Sequence, residues 1–298
     1  MAPQTQALFQ ARPPTLPSTA EIPGVPFFPQ SRYQCGPATL AMSLNWAGVT
    51  VTPDQLVPEV YIPEKKGALQ VEMLAAARRH GTLAYQLAPE LSHILTEISA
   101  GHPVIVFQNL GLGWYPVWHY AVVVGYDLNE RYILLHTGTD RQRRVSLMQF
   151  ERTWARGGYW AMLTMPPDQL PQTATEMRFL QAAVALEKSG RFQQAVRAYE
   201  AALLRWPGSL PAQIGRGNAY YALGDIRKAE QAFYQATLDH PGSAAAFNNL
   251  AQTYADQRRY REALAAAKSA VRLDAASAVY QQTLKEIRIL IGNTSVTR

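Results

Sequence analysis

The sequence predicts an α+β domain followed by an all-α solenoid of short helical repeats. Between residues 26 and 166, helical patterns come first and apolar strand patterns follow, an order typical of α+β domains. A linker is predicted at 167–174, in a region where 166–171 contains three prolines. Beyond it, residues 175–298 repeat with a period of 34 residues, which is the signature of a helical repeat array.

Composition and charge exclude several classes of protein. The chain has 298 residues, of which 48% are hydrophobic and 17% charged, so two globular domains can each form a core. No apolar run approaches the roughly 20 residues of a membrane span. The net charge of +6 comes from residues 172–298, where basic and acidic residues alternate along predicted helices as on solvated faces. No nucleic-acid-binding motif accompanies this charge, and we expect no nucleic-acid partner.

Metal and cofactor sites are not indicated either. A single cysteine excludes an intramolecular disulfide and a cysteine-based zinc cluster. The six histidines are scattered, and there is no glycine-rich loop of the kind that binds phosphates. We therefore expect the protein to work with neither a metal nor a cofactor.

Residues 1–25 contain five prolines and show no periodic pattern. We expect them to form an extended, poorly ordered lead-in. They lack the charged start and apolar run of a secretory signal peptide. The chain is therefore either cytoplasmic or a mature form from which a targeting segment has been removed.

The elements of the α+β domain follow from its apolar periods and its glycines. Helices are predicted at 38–48, 67–80, 91–100 and 145–154. Strands are predicted at 83–87, 103–107, 118–126, 132–136 and 159–165, with a hairpin turn between the third and the fourth. The polar segment 139–144, TDRQRR, is predicted to be a turn.

Cys35 stands at the point where an extended segment turns into the first helix. Gly36 permits a tight turn there, and Pro37 suits a first helical turn because its missing N–H would have no intrahelical partner. Free N–H groups and the positive end of the helix dipole favour a thiolate at such a position. The stretch is therefore typical of a nucleophilic cysteine, although a lone cysteine is equally often a small buried hydrophobe.

His119 is the second candidate, because it opens an apolar strand directly after the glycine-bearing loop 109–116. A lone histidine in a strand is usually a satisfied core or edge residue. Together with Cys35, however, it gives the order and context of a thiol–imidazole pair. In such a pair the histidine removes the thiol proton and later protonates the leaving group.

Two segments, VPFFPQSRYQCGPATLAM and WHYAVVVGYD, resemble the bacteriocin-processing (double-glycine leader) cysteine peptidases and their stand-alone relatives. The resemblance covers roughly residues 25–165 and implies a papain-like fold. It also implies Cys35 as nucleophile, His119 as general base and Gln30 as the side-chain donor of an oxyanion hole. Gln34, adjacent to the nucleophile, is the less favoured donor. Stand-alone relatives with this layout resemble bacterial envelope lipoproteins, which favours a periplasmic or envelope location over the cytoplasm.

The chain departs from that family at the residue that orients the imidazole. The family has Asp or Asn at the end of the strand after His119, and here the matching place carries His136. His136 is a weaker partner than a carboxylate, and Asp140 and Asp127 are alternatives. Nucleophile and base carry the covalent step, so losing the third residue need not abolish catalysis. Two readings stay open, a cysteine peptidase and a degenerate pseudopeptidase that only binds.

The C-terminal part resembles tetratricopeptide repeats. Alanines recur at Ala195, Ala229 and Ala263, while Gly190 and Gly224 lie 34 residues apart. Small residues let paired helices approach closely, and glycine turns each hairpin. Units are predicted at 176–209, 210–243 and 244–276, with a capping helix over 277–291.

Such repeats imply a concave face that binds a peptide or a protein partner. The candidate lining residues are polar residues on the first helices of the units: Gln213, Asn218, Asn248 and Asn249. The sequence as a whole thus predicts a cysteine peptidase that hydrolyses a peptide or protein through an acyl-enzyme on Cys35. The repeats would recruit the substrate or a partner. The alternatives are a non-catalytic adaptor and an acyl transferase using the same pair.

Overall fold

The structure is a computed structural model that describes residues 2–30, 34–65 and 67–296, with side chains to residue 293. The chain divides into two compact units, residues 1–185 and 186–298. No helix in the described part of the chain is both long and apolar enough to cross a bilayer.

The first unit contains all the helices and strands that were predicted within residues 26–166, together with several further elements. Its helices are α1 (Pro3–Gln10), α2 (Cys35–Trp46), α3 (Pro53–Val60), α4 (Gln70–Arg79), α5 (Leu91–Ser99), α6 (Leu147–Arg156) and the greater part of α7 (Glu176–Lys188). Its strands are β1 (Thr19–Glu21), β2 (Tyr61–Ile62), β3 (Gly67–Ala68), β4 (Leu83–Gln86), β5 (Val104–Asn109), β6 (Trp118–Asp127), β7 (Tyr132–Thr137), β8 (Asp140–Ser146) and β9 (Ala161–Met165). The order of helices first and antiparallel strands after confirms the predicted α+β class.

A seven-stranded antiparallel sheet forms the framework of this unit. Its main path runs β4-β9-β5-β6-β7-β8, and β2 and β3 pair separately. Strand β6 is long enough to take two partners along one edge: residues 118–123 pair with β5, and residues 125–127 pair with β1. Strands β5, β6 and β9 are almost fully buried, as expected for apolar strands in the middle of a sheet.

The prediction of an extended lead-in is wrong, because residues 1–25 form α1 and β1. The first turn of a helix has N–H groups without intrahelical partners. Here the buried carboxylate of Glu151 accepts hydrogen bonds from the backbone of Gln4 at 2.9 Å and of Thr5 at 2.6 Å. Strand β1 is held by its pairing with β6. The order in this segment therefore comes from partners more than 100 residues away.

The predicted turn at 139–144 is also wrong, since these residues lie largely in strand β8 at the edge of the sheet. Its residues are almost all exposed, and three of them are arginines: Arg141, Arg143 and Arg144. Charged side chains on an edge strand discourage pairing with another chain. A strand that is exposed on both faces carries no apolar alternation, and for that reason its sequence looks like a loop.

The division between the units falls within α7, later than the predicted linker at 167–174. The fully buried carboxylate of Glu97 holds the residues before α7 in the first unit. It accepts hydrogen bonds from the backbone of Gln172 at 3.2 Å and of Thr173 at 2.7 Å, and from the Thr173 hydroxyl at 2.6 Å. A single buried carboxylate thus fixes the two residues that follow the Pro-rich segment.

The second unit is all-helical and follows the 34-residue period. It comprises the end of α7, then α8 (Phe192–Arg205), α9 (Leu210–Ala222), α10 (Ile226–Asp239), α11 (Ala244–Asp256), α12 (Tyr260–Leu273) and α13 (Ala278–Val296). Ser209 and Ser243, 34 residues apart, cap α9 and α11 through their hydroxyls. The recurring alanines Ala229, Ala236, Ala263 and Ala270 are fully buried, as close helix pairing requires.

Gly217 in α9 lets the Phe233 ring of α10 pack closely against the helix backbone. A Cβ at this position would collide with the edge of the Phe233 ring on α10. We therefore expect Gly217→Ala to destabilise the second unit by about 1–3 kcal/mol, the usual cost of overpacking a core. This cost outweighs the gain of up to about 1 kcal/mol that alanine brings within a helix. Urea unfolding followed by circular dichroism measures the difference.

Gly292 provides the matched control, because it is also helical and a Cβ there meets no atom within 4 Å. Gly292→Ala should leave the second unit unchanged or stabilise it by up to about 1 kcal/mol. If Gly217→Ala behaved in the same way as Gly292→Ala, the close contact with Phe233 would not limit the packing.

Candidate active site

Cys35 is the first residue of α2, as predicted. The first turn of this helix lies against β3, since a Cβ on Gly36 would come within 2.5 Å of the Cβ of Ala68. Residues 36–44 are buried, so the helix is fixed along most of its length. The backbone of Tyr120, the residue after His119, hydrogen-bonds to the Cys35 sulfur. The structure thus brings the start of α2 to the start of β6.

His119 is oriented by Thr137, a residue that the sequence reasoning did not select. Its Nε2 lies 2.6 Å from the Thr137 hydroxyl oxygen. The cause is the register between β6 and β7, in which Val122 pairs with His136. Side chains alternate across a strand, so Thr137 lies on the same face of the sheet as His119. Thr137 is therefore the residue at the end of β7 that contacts the imidazole.

His136 does not contact His119, and its predicted role as orienting residue is wrong. It pairs with Val122, three residues from His119, and therefore points to the opposite face of the sheet. It is 2% exposed, packs edge-on against Phe27 with ring centroids 5.3 Å apart, and hydrogen-bonds to the Pro26 backbone. Burial lowers its pKa. These contacts make it a neutral core histidine.

The two alternative acids are not hydrogen-bonded to His119 within the described part of the chain. The Asp127 carboxylate accepts hydrogen bonds from the backbone of Asn129 at 2.8 Å and of Glu130 at 2.9 Å, and so closes the hairpin at the far end of β6. Asp140 is exposed on β8, with its nearest cationic partner, Arg143, at 3.8 Å. Asp127 therefore stabilises its own hairpin turn, and Asp140 pairs with a residue of its own strand.

The backbone N–H and the side-chain oxygen of Gln30 are both hydrogen-bonded, whereas its side-chain NH₂ group is not. Its backbone N–H donates to the Gly138 carbonyl at 2.9 Å, and its side-chain oxygen accepts from the Gly138 N–H at 3.0 Å. Its Nε2 is buried and has no hydrogen-bond partner among the residues that the structure describes. A buried donor of this kind is available to an acceptor from outside the chain. Gln34 is the N-cap residue of α2, and its side chain makes no capping hydrogen bond.

Burial sets the protonation states of His119 and Cys35. Burial lowers the pKa of His119 to about 4, and the positive charge of Arg143 acts in the same direction. Burial also raises the pKa of the Cys35 thiol, although hydrogen bonds from the backbone of Tyr120 and Gly36 oppose it. The expectation of a thiolate at the helix N-terminus is therefore wrong for the resting state. At neutral pH the site holds a neutral thiol and a neutral imidazole.

Both parts of the chain match known protein families. Residues 22–162 match the Peptidase_C39 like family, and residues 186–248 and 244–277 match two tetratricopeptide repeat families. The chain thus joins a C39-peptidase-like domain to tetratricopeptide repeats. Cys35, His119, Gln30 and Thr137 all lie inside the C39-like domain.

Similar proteins share parts of this layout. Protein FlbA of Caulobacter vibrioides is 31% identical over 113 residues, which are 38% of this chain and 19% of that protein. The chain therefore spans about a fifth of that relative. A C39-like peptidase from Bacillus anthracis is 18% identical and has a TM-score of 0.42, with 50% of this chain and 98% of that one covered. The Sgt2 tetratricopeptide domain of Aspergillus fumigatus is 20% identical and has a TM-score of 0.39, with 40% and 81% covered.

An aromatic hairpin leads directly into His119 of the C39-like domain. The Asn109 side-chain oxygen accepts 2.9 Å hydrogen bonds from the backbone of Gly111 and of Val117, which closes the base of the loop. The Arg156 guanidinium donates to the Asn109 carbonyl at 2.9 and 3.1 Å. The hairpin exposes a set of large apolar side chains, namely Leu110, Leu112, Trp114, Tyr115, Val117 and Trp118. Exposed apolar patches of this kind usually mark binding sites.

The predicted lining residues of the repeats separate into two groups. Gln213 and Asn248 are 3% and 4% exposed, so they belong to the interior, and the Gln213 amide donates to Asp239 at 2.7 Å. Asn218 and Asn249 are only partly buried, and the Asn249 amide donates to the Asn218 carbonyl oxygen at 3.2 Å. Of the four predicted residues, this second pair is the one that a partner could reach.

Proposed function

We propose that this protein is a cysteine peptidase, in which Cys35 is the nucleophile and His119 is the general base. The observation that carries the proposal is the hydrogen bond between His119 Nε2 and Thr137. It fixes the imidazole at the start of β6, where the backbone of the next residue also contacts the Cys35 sulfur. A nucleophile and a base oriented by a third group is the arrangement that covalent catalysis requires.

The proposed reaction begins with both groups neutral. When Nε2–H donates to Thr137, Nδ1 of His119 is left to accept the thiol proton as the sulfur attacks the carbonyl carbon of the substrate. The Gln30 Nε2, together with a backbone N–H near Cys35, would stabilise the negative oxygen of the tetrahedral intermediate. The imidazolium then gives its proton to the leaving amine. A water molecule, deprotonated by His119, hydrolyses the resulting thioester and restores the thiol.

The orienting group affects how fast this reaction can run. A carboxylate stabilises the imidazolium that forms during attack, whereas the Thr137 hydroxyl fixes the ring without adding negative charge. Arg143 also disfavours the imidazolium. The proposed enzyme is therefore slower than a peptidase with Asp or Asn in that place. The repeats would compensate by recruiting the substrate, whose local concentration at the C39-like domain rises through tethering.

A non-catalytic adaptor is the second candidate, and the same neutral site favours it. A buried thiol with a raised pKa and an uncharged orienting residue is what a decayed peptidase retains. Against it stands the buried, unpartnered Nε2 of Gln30, a donor without an evident structural purpose. Processing after a double glycine, as in the bacteriocin-processing relatives, is a narrower version of the peptidase proposal.

The test is to incubate the purified full-length chain with a diverse peptide library, and to follow both products and enzyme by mass spectrometry. A peptidase gives new peptide ends and a transient acyl adduct on the tryptic peptide that contains Cys35. An added amine that appeared in the products in place of water would assign acyl transfer. Binding without products or adduct would contradict the proposal and leave the adaptor.

Trp114, at the tip of the aromatic hairpin, is proposed to bind an apolar part of the substrate. It is 82% exposed, so its removal should leave the fold intact. We expect Trp114→Ala to raise KM roughly tenfold with little change in kcat, because a large apolar contact contributes about 1.5–3 kcal/mol to binding. Steady-state kinetics on the best library peptide measures this. Val71→Ala, an exposed apolar change on α4, is the control, and equal effects would remove the hairpin from substrate binding.

A further inference from the structure

A small cavity lies on the first unit, away from Cys35 and His119. It opens between α4, β4 and the first part of α7, and its volume is about 130 Å³. Its walls are formed by Leu74, Arg78, Ala84, Gln86, Arg178, Gln181 and Ala182. A cavity of this volume holds several water molecules or a small ion of a few heavy atoms.

The charge in this cavity is of one sign. Arg78 and Arg178 are its only ionisable lining residues, and no carboxylate contributes to its walls. The Arg78 Nε is buried and has no hydrogen-bond partner among the described residues. Neither arginine belongs to any salt bridge found in the described ranges. Two guanidinium groups thus line this cavity, and none of its described lining residues is a carboxylate.

Glu97 does not line the cavity, but its charge and that of Arg178 shift the pKa of Tyr85 in opposite directions. Its two oxygens, however, accept hydrogen bonds from His102 and from the backbone before α7. Arg78 is partly buried, and this burial lowers its pKa. Charges that are partly removed from water are normally paired, so an anion from outside the chain is the partner expected here.

We propose that this cavity binds a small oxyanion, of the phosphate or carboxylate class, between Arg78 and Arg178. Guanidinium groups present parallel N–H donors that match two oxygens of such an anion. The amides of Gln86 and Gln181 supply further donors from β4 and α7. The lining comes from elements distant in sequence, so a bound anion would hold α7 against α4 and β4 within the first unit.

Inorganic phosphate is the probe for the test. At constant ionic strength, kept with sodium chloride, a phosphate concentration about tenfold above Kd should raise the melting temperature of the first unit by roughly 3–5 °C. Isothermal titration calorimetry on the full chain gives Kd directly. Acetate, titrated in the same way, distinguishes a carboxylate from a phosphate source.

The variants Arg78→Gln and Arg178→Gln each remove one guanidinium and should weaken phosphate binding at least about tenfold. Arg152→Gln removes the same charge from an exposed position on α6 and should leave Kd unchanged. Arg178 lies on α7 and is only partly buried, so Arg178→Gln should fold. This variant therefore tests the proposal even if Arg78→Gln does not fold. Absence of a stabilisation beyond that of sodium chloride, or equal Kd values in Arg178→Gln and Arg152→Gln, would overturn the proposal.

Discussion

His119→Ala is expected to lower kcat/KM by roughly 10²–10⁴-fold, the usual contribution of a positioned general base. The reason is specific to this site. Burial raises the pKa of Cys35, so little thiolate exists at neutral pH and the thiol depends on a base to lose its proton. The residual rate should be close to that of Cys35→Ala, which has no nucleophile. Steady-state kinetics on the best library peptide measures both variants.

The pH dependence of the same pair distinguishes a neutral site from an ion pair. With the pKa of His119 at about 4, the imidazole can accept a proton at all higher pH values, so kcat/KM should fall only as the pH drops through that value. Alkylation of Cys35 by iodoacetamide should be slow at neutral pH and should rise only in the alkaline range, where the buried thiol ionises. A thiolate–imidazolium pair would instead give rapid alkylation at neutral pH.

Two further variants test which groups orient the His119 ring and lower its pKa. Thr137→Val keeps the shape of the side chain and removes the hydroxyl that holds His119 Nε2, so kcat should fall while KM stays nearly constant. Arg143→Gln removes the nearby positive charge and should move the acid limb of kcat/KM to higher pH. Rapid alkylation at pH 7 that is lost in His119→Ala would contradict the neutral site described here.

The positions of Cys35 and His119, the proposed nucleophile and base, could be predicted from sequence because their signals are local. Cys35 stands at a helix start made by Gly36 and Pro37, and His119 opens an apolar strand. The orienting residue depends on pairing between two strands, and a shift of one residue moves a side chain to the other face of the sheet. His136 and Thr137 differ by that single residue. Counting residues from the pairing of Val122 with His136 identifies Thr137, but the sequence alone does not give this register.

Other differences have the same non-local origin. The lead-in is ordered by Glu151 and by pairing with β6, and neither partner can be inferred from its proline-rich composition. The protonation of Cys35 depends on how tightly α2 packs against β3 and β6, which local helix chemistry does not include. The repeats could be predicted from sequence because each 34-residue unit contacts mainly its neighbours, so the residues that define its packing lie within the unit and the next one.

Glu97→Ala is expected to destabilise the first unit by about 3–5 kcal/mol, the usual effect of breaking a buried, paired charge. Glu97 is fully buried, and its carboxylate accepts hydrogen bonds from His102, Gln172 and Thr173. Removing it leaves these donors unpaired and frees the segment before α7. Five of the six tryptophans lie in the first unit, so urea unfolding followed by tryptophan fluorescence reports mainly on it. Limited proteolysis should also cut the chain faster between residues 166 and 175.

The same carboxylate gives the first unit an acid sensitivity. Burial alone would raise the pKa of Glu97, but hydrogen bonds from His102 and Thr173 outweigh it and hold the pKa below its usual value. Its stabilising contribution is therefore fully present above the unfolded pKa of about 4.3, and is lost as the pH falls through the lower folded value. Glu90→Ala, at an exposed position just before α5, should change stability by no more than about 0.5 kcal/mol. Because Glu97→Ala lacks the titrating group, the stability difference between it and the wild type should narrow as the solution is acidified. A difference that stayed constant down to low pH would show that the carboxylate contributes through packing, with its charge playing no part.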